Sequence, residues 1–440
     1  MPEPGSRPSA TTGGYNLTEE CGNPGNVQGR PSRRFEDMVE TASGIVGSLL
    51  SERAKRYGPA RLGNPRAAAS KISFVAGFPD PATLPKADVI EATRVALERE
   101  GEWALQYGAA RGYDGLIDEL VKKLARDQRI QATADNILIT NGSSQALALI
   151  VDMLVDPGDV VLSEQPTWSG AVHNFTVAGA DVRPIPITAE GTDVAALERE
   201  LETLRAEGKQ AKLLYMIPNF QNPTGVTTTL ERRKRIIELA REHGVPIVED
   251  DAYFDLRYAG ERLPTLYEMA GDGSVMYLGT FSKIMAAGVR LGWVVANTDV
   301  IQRLTGMKLE GGTSPFAGYV AAEFCANGTL QEHISELTAL YRRRRDVMLA
   351  ALERAMPAGT TWTTPEGGFF IWMTLPTGVT AGELQAAASA RNVEFLPGPA
   401  CHFGGAGSGT LRLAYSFSDD EKIEQGIAIL GGLIEEAASR

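Results

Sequence analysis

The segment between Lys86 and Ala296 alternates short apolar runs with longer stretches of helical period. Six of these runs have the length of strands, and they lie at residues 137–140, 160–163, 213–217, 247–249, 275–279 and 291–296. The stretches between them include predicted helices at 144–154 and 230–243. Strands that are apolar throughout and separated by helices favour a mostly parallel sheet covered by helices on both faces. The sequence therefore predicts an α/β fold with a large domain at residues 86–326.

The N-terminal part of the chain has a different composition. Residues 1–34 are rich in Gly, Pro, Ser, Thr and Arg and poor in large apolar side chains, so they are expected to form a disordered tail. Residues 35–85 are expected to form an N-terminal helix and arm. Within them, apolar residues at helical spacing predict one helix over 35–57, and a connector rich in Pro, Gly and Ala follows at 59–70.

The C-terminal part, residues 327–440, predicts a smaller α+β domain. Its predicted elements are a long helix at 330–352, strands at 369–374 and 411–414, and helices at 381–390 and after Asp419. The long helix carries four consecutive arginines, Arg342 to Arg345. Since consecutive residues point in different directions around a helix, this run is expected to form a solvated surface.

The charge and the cysteine content exclude several classes of protein. The 440 residues carry 43 Lys and Arg against 55 Asp and Glu, a net charge of −12, which disfavours binding to nucleic acid. Cys21, Cys325 and Cys401 are too few and too far apart for a disulfide framework or a metal knuckle, so no metal site is expected and the cytoplasm is the expected compartment. No apolar run approaches the roughly 20 residues of a membrane-spanning helix, so no membrane association is expected.

Two motifs follow predicted buried strands. Residues 219–225 read N-F-Q-N-P-T-G, which is turn chemistry and on its own is typical of a loop between a strand and a helix. Residues 248–253 read V-E-D-D-A-Y and lie at the carboxyl end of another predicted strand, where ligands bind in open α/β sheets. The adjacent carboxylates there fit either an ion site or solvated loop charges.

Two further motifs carry residues suited to binding a phosphate. Lys283 follows a predicted strand in a small and apolar context, where desolvation favours the neutral, nucleophilic amine of a Schiff base. Thr280, Ser282 and Arg290 lie close by and supply hydroxyl donors and a fixed cation, which suit a phosphate. At residues 140–147 a strand passes through Gly142 into a helix, whose N-terminus favours an anion and whose Ser143 and Ser144 either bind that anion or cap the helix.

Taken together, N-P-T-G, E-D-D-x-Y and S-K-x-x-x-x-G-x-R-x-G occur in an order that resembles the class I/II aminotransferases, pyridoxal-phosphate enzymes of fold type I. The chain is most similar to the branch of the 2-aminoadipate and kynurenine aminotransferases, and the resemblance runs from Ile72 to Arg440. It implies a large domain with a mostly parallel seven-stranded sheet covered by helices, a smaller α+β domain, and pyridoxal 5'-phosphate as the cofactor.

The resemblance also implies the roles of individual residues. Lys283 would form the internal aldimine, Asp250 would pair with the pyridine nitrogen, and Asn222 and Tyr253 would bond the phenolic oxygen, with Lys283, Asp250 and Tyr253 as the catalytic residues. The remaining cofactor-binding residues by resemblance are Ser143, Ser144, Thr280, Ser282 and Arg290 at the phosphate, Trp168 stacked on the ring, and Tyr107 reaching the phosphate of the partner subunit. Arg412, Asn222 and Gly77 would contact the substrate. The role of Tyr107 implies a homodimer with shared active sites.

Purely structural interpretations of some of these residues stay open at this point. Trp168 could fill the core, Arg412 could belong to a buried structural ion pair, and Tyr113 lies near Tyr107.

The favoured function is transfer of an amino group from an α-amino acid to a 2-oxo acid, expected to be 2-oxoglutarate. The same catalytic residues serve relatives that eliminate, substitute or cyclise, such as aminocyclopropane-carboxylate synthase, so a non-transaminating enzyme is the alternative. A third possibility is a MocR-like regulator, which would need an N-terminal DNA-binding domain.

Overall fold

The computed structural model describes residues 45–58, 65–75 and 77–440. The predicted tail at 1–34 lies outside these residues. Contacts divide the chain into a unit of Met1–Ser51 and a unit of Glu52–Arg440. In the first unit, the described residues form one short helix. In the second unit, they form two sheets and the helices that cover them.

The described residues form thirteen strands. In chain order they are β1 Ile72–Phe74, β2 Ile137–Thr140, β3 Val160–Gln165, β4 Asp181–Thr188, β5 Gly191–Thr192, β6 Ala211–Met216, β7 Ile247–Asp250, β8 Val275–Thr280, β9 Gly292–Val295, β10 Thr361–Trp362, β11 Phe370–Thr374, β12 Val393–Pro397 and β13 Thr410–Ala414. All six strands predicted for the large domain are present within one to two residues of the predicted bounds.

The described residues also form fifteen α-helices. They are α1 Ile45–Ser48, α2 Glu52–Lys55, α3 Pro65–Ala69, α4 Lys86–Glu100, α5 Asp114–Lys123, α6 Ser143–Leu154, α7 Ser169–Ala178, α8 Val194–Ala206, α9 Leu230–Glu242, α10 Leu266–Ala270, α11 Thr298–Gly306, α12 Pro315–Ala326, α13 Thr329–Ala355, α14 Ala381–Ala390 and α15 Asp420–Ala438. A π-helical turn, Leu124–Gln128, extends α5.

The first sheet has the order β2-β9-β8-β7-β6-β3-β4-β5. The strands from β8 to β4 are parallel to their neighbours, whereas β9 is antiparallel to both β2 and β8. The mostly parallel sheet is therefore confirmed, but it has eight strands rather than seven. The additional strand is β5, a two-residue edge strand antiparallel to β4. A strand of two residues is too short to show an apolar pattern, so it could not be predicted from the sequence.

Each face of this sheet has its own buried cluster, because successive residues of a strand point to opposite faces. Val161 packs in one cluster with residues of α6 and α7, such as Leu147. Its neighbour Leu162 packs in the other cluster with residues of α8 and α9, such as Ile236. Helices therefore cover both faces, as the strand pattern predicts.

The second sheet, of order β1-β12-β13-β11-β10, pairs a strand that precedes the first sheet in the chain with four strands that follow it. β1 pairs in parallel with β12, at the register Ile72 to Val393, while β12, β13, β11 and β10 form antiparallel pairs. α13 and α15 pack against each other beside this sheet, within the largest buried cluster. The division into domains at residues 86 and 327 stays a prediction.

The predicted helix over 35–57 is wrong in its described part. Residues 35–44 lie outside the described residues, and the remainder forms α1 and α2 with a break at residues 49–51. Gly47 and Ser48, weak helix formers, end α1. The predicted connector at 59–70 contains α3, and its residues 59–64 are not described.

The expectation of four solvated arginines is also wrong. On α13, Arg342 and Arg343 are exposed, but Arg344 is 4% exposed and the side chain of Arg345 only 12%. Position 344 lies three residues after the buried Tyr341 and four before the buried Met348, on the face that packs inward. Among the described helices, none is both long and apolar enough to cross a membrane.

Candidate active site

The predicted motifs meet at one edge of the first sheet. β6, β7 and β8 are parallel neighbours, and their carboxyl ends lead to residues 219–225, to Asp250 and to Thr280. β2 points the same way as β8, because β9 between them is antiparallel to both, and β2 leads to Gly142. Ligands of open α/β sheets bind at the carboxyl ends of the strands. The sheet order thus brings together motifs that lie far apart in the sequence.

Lys283 lies three residues after β8, in a partly buried position. Its Nζ donates a hydrogen bond of 2.8 Å to the carbonyl oxygen of Gly77 and lies 5.9 Å from the centre of the Phe369 ring. Burial, and then the positive charges of Arg412 and Arg290, lower the pKa of this amine to about 8. With this pKa, an appreciable fraction of the lysine is uncharged near pH 7, and the uncharged amine can act as a nucleophile and as a base.

Asp250 is the last residue of β7 and is 4% exposed. Its Oδ2 accepts a hydrogen bond of 2.8 Å from the hydroxyl of Tyr215 on β6, whereas its Oδ1 is buried and has no partner among the described residues. Burial raises the pKa of Asp250 to about 6, although the bond from Tyr215 acts in the opposite direction. A buried carboxylate oxygen without a partner is suited to accept a bond from a cationic N–H group.

The other acidic residues of the second motif have partners. Glu249 accepts the backbone N–H groups of Leu266 and Tyr267, both at 2.9 Å. Asp251 accepts two bonds of 3.0 Å from the Asn219 side chain. Both carboxylates are buried, so the solvated-loop interpretation is wrong for them. Of the three adjacent carboxylates, only Asp250 has an oxygen without a partner in the described part of the chain.

The turn after β2 and the turn after β8 lie side by side, because Gly292 of β9 pairs with Thr140 on one side and Thr280 on the other. α6 begins at Ser143 with Gly142 as its N-cap, at φ 77°. The positive φ favours glycine there, and a Cβ atom on Gly142 would lie 2.8 Å from Nη2 of Arg290, so a side chain at this position would displace that guanidinium.

This corner offers several donors to an anion. Arg290 Nη2 reaches the Asn141 carbonyl at 3.3 Å, and the guanidinium remains exposed. Thr280 and Ser282 are buried, and their hydroxyl oxygens lie 3.0 Å apart. Since the N-cap is Gly142 and no side chain caps the helix, neither Ser143 nor Ser144 acts as the cap. Hydroxyls, a helix N-terminus and a guanidinium together form a site suited to a phosphate.

Arg412 on β13 faces the same region from the second sheet. Its Nη1 donates a hydrogen bond of 2.7 Å to Oδ1 of Asn222, and its Nη2 bonds the carbonyl oxygen of Val75. The guanidinium lies 4.0 Å from the centre of the Phe370 ring, and its buried Nε has no partner among the described residues. Burial lowers the pKa of Arg412. No carboxylate pairs with Arg412 within the described chain, so the interpretation of Arg412 as part of a structural ion pair is wrong.

Tyr253 packs against Phe370, the ring that also contacts Arg412, whereas Trp168 packs against a buried cluster of the first sheet. Tyr253 is buried, and its ring meets the rings of Phe369 and Phe370 edge-on at 5.3 and 5.7 Å. Burial raises the pKa of Tyr253, and the nearby charge of Arg412 opposes this, so its hydroxyl stays protonated and can donate. Trp168 precedes α7, is partly buried, and packs against the cluster that contains Phe175.

Tyr107 lies on the surface of the single chain. It is 87% exposed. Trp103 and Leu105, earlier in the same segment, are each 72% exposed. Leu309, in a segment that packs beside it, is 92% exposed. The two segments touch, because Lys308 Nζ donates a bond of 3.0 Å to the carbonyl oxygen of Ala110.

The loop that carries Asn222 is fixed by buried polar contacts that the sequence motifs do not reveal. Gln221 donates bonds to Glu164 at 3.3 Å and to the Pro166 carbonyl at 2.7 Å. Arg233 on α9 donates a bond of 2.7 Å to Asn219. Glu164 and Arg233 come from other elements, so only the folded arrangement identifies them. The same holds for Tyr215 and Phe370.

These groups fit pyridoxal phosphate. The unpartnered Oδ1 of Asp250 could accept a bond from the protonated pyridine nitrogen, and the corner at Gly142 and Arg290 could hold the phosphate. The amine of Lys283, with its lowered pKa, could form the imine. The fit therefore rests on two features of the chain itself, a buried carboxylate oxygen without a partner and a glycine-lined anion site.

Comparison with known proteins agrees with this site. The family model described as "Aminotransferase class I and II" matches residues 70–430. The chain is 39% identical to an aromatic-amino-acid aminotransferase of Thermococcus litoralis, over 83% of this chain and 88% of that one, and 37% identical to the 2-aminoadipate transaminase of Thermus thermophilus, over 82% and 89%. A solved kynurenine aminotransferase of Pyrococcus horikoshii, in complex with PMP, has a TM-score of 0.84 at 38% identity and covers 89% of this chain and 98% of its own. The chain therefore belongs to the class I and II aminotransferases, and it is an aminotransferase that uses pyridoxal phosphate.

Proposed function

We propose that this enzyme moves the amino group of an α-amino acid to 2-oxoglutarate, with Lys283, Asp250 and Tyr253 as its catalytic residues. The observation that carries the proposal is the placement of two groups at the ends of neighbouring strands. Asp250 ends β7 with a buried and unpartnered oxygen, and Lys283, with its lowered pKa, follows β8. When it is bound, pyridoxal phosphate supplies an electron-accepting ring that stabilises the charge left when a Cα proton is removed.

The cofactor is held, in this proposal, by residues at or after the ends of five strands, β2, β3, β6, β7 and β8. Asp250 accepts the pyridine N–H, and Asn222 and Tyr253 donate to the phenolic oxygen. The phosphate is bound by Ser143, Ser144, Thr280, Ser282 and Arg290, and Trp168 lies against the ring. Hydroxyl and backbone donors of this kind bind a dianion well when a guanidinium adds its charge.

Lys283 then moves the proton. As a free primary amine, its Nζ has Gly77 as a hydrogen-bond acceptor 2.8 Å away. A neutral amine that donates an N–H group to Gly77 keeps its lone pair for the Cα proton of the substrate. The pKa of about 8 places this amine close to the pH at which a general base works best.

Arg412 binds the α-carboxylate of the substrate. It is held between Asn222 and the ring of Phe370, so its guanidinium has one fixed orientation. A planar guanidinium binds a carboxylate through two parallel bonds, and this sets which bond of Cα stands perpendicular to the cofactor ring. The carbonyl of Gly77 and the side chain of Asn222 complete the substrate contacts in this proposal.

The test is a half-reaction with the purified holoenzyme and single amino acids. Aromatic amino acids, 2-aminoadipate and kynurenine come first, since the names of the relatives mention them. Transamination predicts stoichiometric pyridoxamine phosphate and the matching 2-oxo acid, and then return of the starting absorbance when 2-oxoglutarate is added. Continuous turnover of one amino acid without pyridoxamine phosphate would support the eliminating or cyclising alternative instead.

We also propose a homodimer in which Tyr107 reaches the phosphate of the other subunit. Two adjacent segments support it, one with Trp103, Leu105 and Tyr107 and one with Leu309, because together they expose four large apolar or aromatic side chains. A contiguous exposed apolar patch is typical of a protein interface. Finally, we propose the cytoplasm as the compartment, which the buried and unpaired thiols of Cys325 and Cys401 support.

A further inference from the structure

A short irregular segment lies against both cations of the candidate active site. This segment, residues 75 and 77–80, follows β1 and is called the strap here. The carbonyl oxygen of Val75 accepts a bond from Arg412, and that of Gly77 accepts one from Lys283. The described residues of the strap lie in no helix or strand, and its last residue, Asp80, is the N-cap of a 3-10 turn at Pro81–Thr83. Side chains from other elements bond the strap and help to fix its position over the two cations.

Two residues from distant parts of the chain bond the far end of the strap. Ser416, just after β13, donates its hydroxyl to the carbonyl of Phe78 at 2.8 Å. Arg344 on α13 pairs through Nη2 with the carboxylate of Asp80. Its Nη1 donates a bond of 2.9 Å to the carbonyl of Ser416. Arg344 therefore joins the strap to the end of the strand that carries Arg412.

In the pair of Arg344 and Asp80, the arginine is buried and the aspartate is partly buried, with side chains 5% and 15% exposed. The other oxygen of Asp80 is also used, since Oδ1 accepts the backbone N–H of Ala82 at 2.9 Å. A buried ion pair gains little over an apolar contact, but removing one partner leaves a buried charge uncompensated. The pair thus resists small displacements of Asp80, and through it of the strap.

We propose that Arg344 is a positioning residue for the reaction: through Asp80 and Ser416 it fixes the strap, and thereby the carbonyl groups that orient Lys283 and Arg412. This inference rests on the roles proposed above for those two residues. Arg344 touches neither substrate nor cofactor in this arrangement. Its effect is to hold the Gly77 carbonyl at the distance at which Lys283 can donate to it.

The chain offers a matched control in the adjacent residue. Arg343 has the same chemistry and the same helix, but its side chain is 64% exposed and pairs with Asp420. Arg344→Gln is therefore compared with Arg343→Gln. Arg344→Lys keeps a positive charge for Asp80 but cannot also bond the carbonyl of Ser416. Its effect on the strap and on the reaction should therefore be smaller than that of Arg344→Gln. Asp80→Asn and Ser416→Ala test the same connection from the other side, and they serve as well if Arg344→Gln does not fold.

The first readout is independent of activity. Amide hydrogen exchange, followed by mass spectrometry of the peptide at residues 75–84, should be at least about tenfold faster in Arg344→Gln than in the wild type, whereas Arg343→Gln should match the wild type. This difference should be present with and without pyridoxal phosphate. Equal exchange in the two variants would overturn the proposal.

The second readout is the half-reaction with an amino acid. A displacement of the strap by about 1 Å predicts a loss of about 10- to 100-fold in the rate constant at saturating substrate for Arg344→Gln, with the affinity for pyridoxal phosphate within about threefold of the wild type. The Arg344→Gln/Asp80→Asn double variant should lose no more than Arg344→Gln alone, because both act through one contact. Additive losses, or a loss of cofactor affinity equal to the loss of rate, would overturn the positioning role.

The outcome is separable from that of the proposed function. If the wild type and Arg343→Gln both fail to form pyridoxamine phosphate, the proposed function fails, whatever Arg344→Gln does. If both form it and Arg344→Gln forms it equally fast, only the role of Arg344 fails.

Discussion

Nη1 of Arg412 donates a hydrogen bond of 2.7 Å to Oδ1 of Asn222, and so joins the second sheet to the loop after β6. The guanidinium that we propose as the carboxylate site is thereby tied to a residue that we propose to touch the cofactor. Substrate binding and cofactor binding share one contact across two sheets.

Replacing Arg412 by Gln should therefore affect the substrate far more than the cofactor. Loss of a buried, hydrogen-bonded charge that faces a carboxylate costs about 3 kcal/mol, so kcat/KM for amino acids should fall about 100-fold or more. The visible absorbance of the bound cofactor should persist, since Asp250, Lys283 and the phosphate site are unchanged. Steady-state kinetics and absorbance titration measure the two effects. Arg391→Gln, an exposed arginine of the same sheet region, is the control. An unchanged KM for carboxylate substrates in Arg412→Gln would contradict the assignment.

The reactivity of Lys283 should depend on pH with a midpoint near 8. Burial and the charges of Arg412 and Arg290 lower its pKa, so the neutral amine increases as the pH rises through about 8. Acylation of the apoprotein across a pH series, read at this lysine by mass spectrometry, should follow that curve. Arg412→Gln removes one of the charges that lower the pKa, so its curve should move to higher pH. A curve that moves to lower pH, or one that does not move, would be inconsistent with the charge contact.

Asp250 should destabilise the apoprotein at neutral pH. Its pKa in the folded protein, about 6, is above its ordinary value of 3.8, so the folded state loses stability as the pH rises from about 4 to about 6 and the carboxylate ionises. About two pKa units correspond to about 3 kcal/mol as an upper value. Asp250→Asn apoprotein should therefore unfold at higher urea concentration than the wild type at pH 8, and at about the same concentration at pH 4.

The same substitution should weaken cofactor binding, because the partner of the pyridine nitrogen loses its charge. A variant that is more stable as apoprotein but binds the cofactor more weakly is what we expect when a residue serves function at the expense of stability. Asp250→Asn apoprotein that is less stable than the wild type at pH 8 would argue against a strained, unpartnered carboxylate.

Leu309→Asp should dissociate the proposed dimer. A charge at a 92% exposed leucine costs little in an isolated chain but much when a partner covers it. Light scattering should show monomers, and activity should fall with dimer content. Ile90→Asp is the control, since Ile90 is also exposed but lies on α4 beside the Arg94–Glu91 ion pair. A Leu309→Asp protein that stays dimeric would place the interface elsewhere.

Tyr107→Phe separates the proposed contact with the cofactor phosphate from the proposed dimer itself. It should leave the dimer intact and weaken only the affinity for the cofactor phosphate, measured by titration of the apoprotein.

Six of the eight strands of the first sheet could be predicted because each of the six is an apolar run bounded by turn residues. β4 was missed for a physical reason. Its Arg183, Pro184 and Pro186 break the apolar pattern, and they are tolerated because β4 lies near the edge of the sheet. β1 was missed because three residues are too few to show a pattern, and its partner β12 lies more than 300 residues away.

The motifs identified the candidate site, but not the residues that support it. Asp250 could be singled out from E-D-D-x-Y, whereas Tyr215 could not, since nothing in the sequence shows that β6 lies beside β7. Arg344 was misjudged because a run of four like charges is typical of a solvated surface. The helical period places one of the four among buried residues, and this becomes visible only when Tyr341 and Met348 are known to face inward.

The parallel pairing of β1 with β12 has a consequence for synthesis on the ribosome. The segment at residues 72–74 emerges early, but the strand it pairs with, at 393–397, is among the last to be translated. A nascent chain can complete the first sheet, up to β9, long before β1 has a neighbour. The peptide whose Gly77 carbonyl accepts the bond from Lys283 is therefore fastened late, and until then the amine lacks that acceptor.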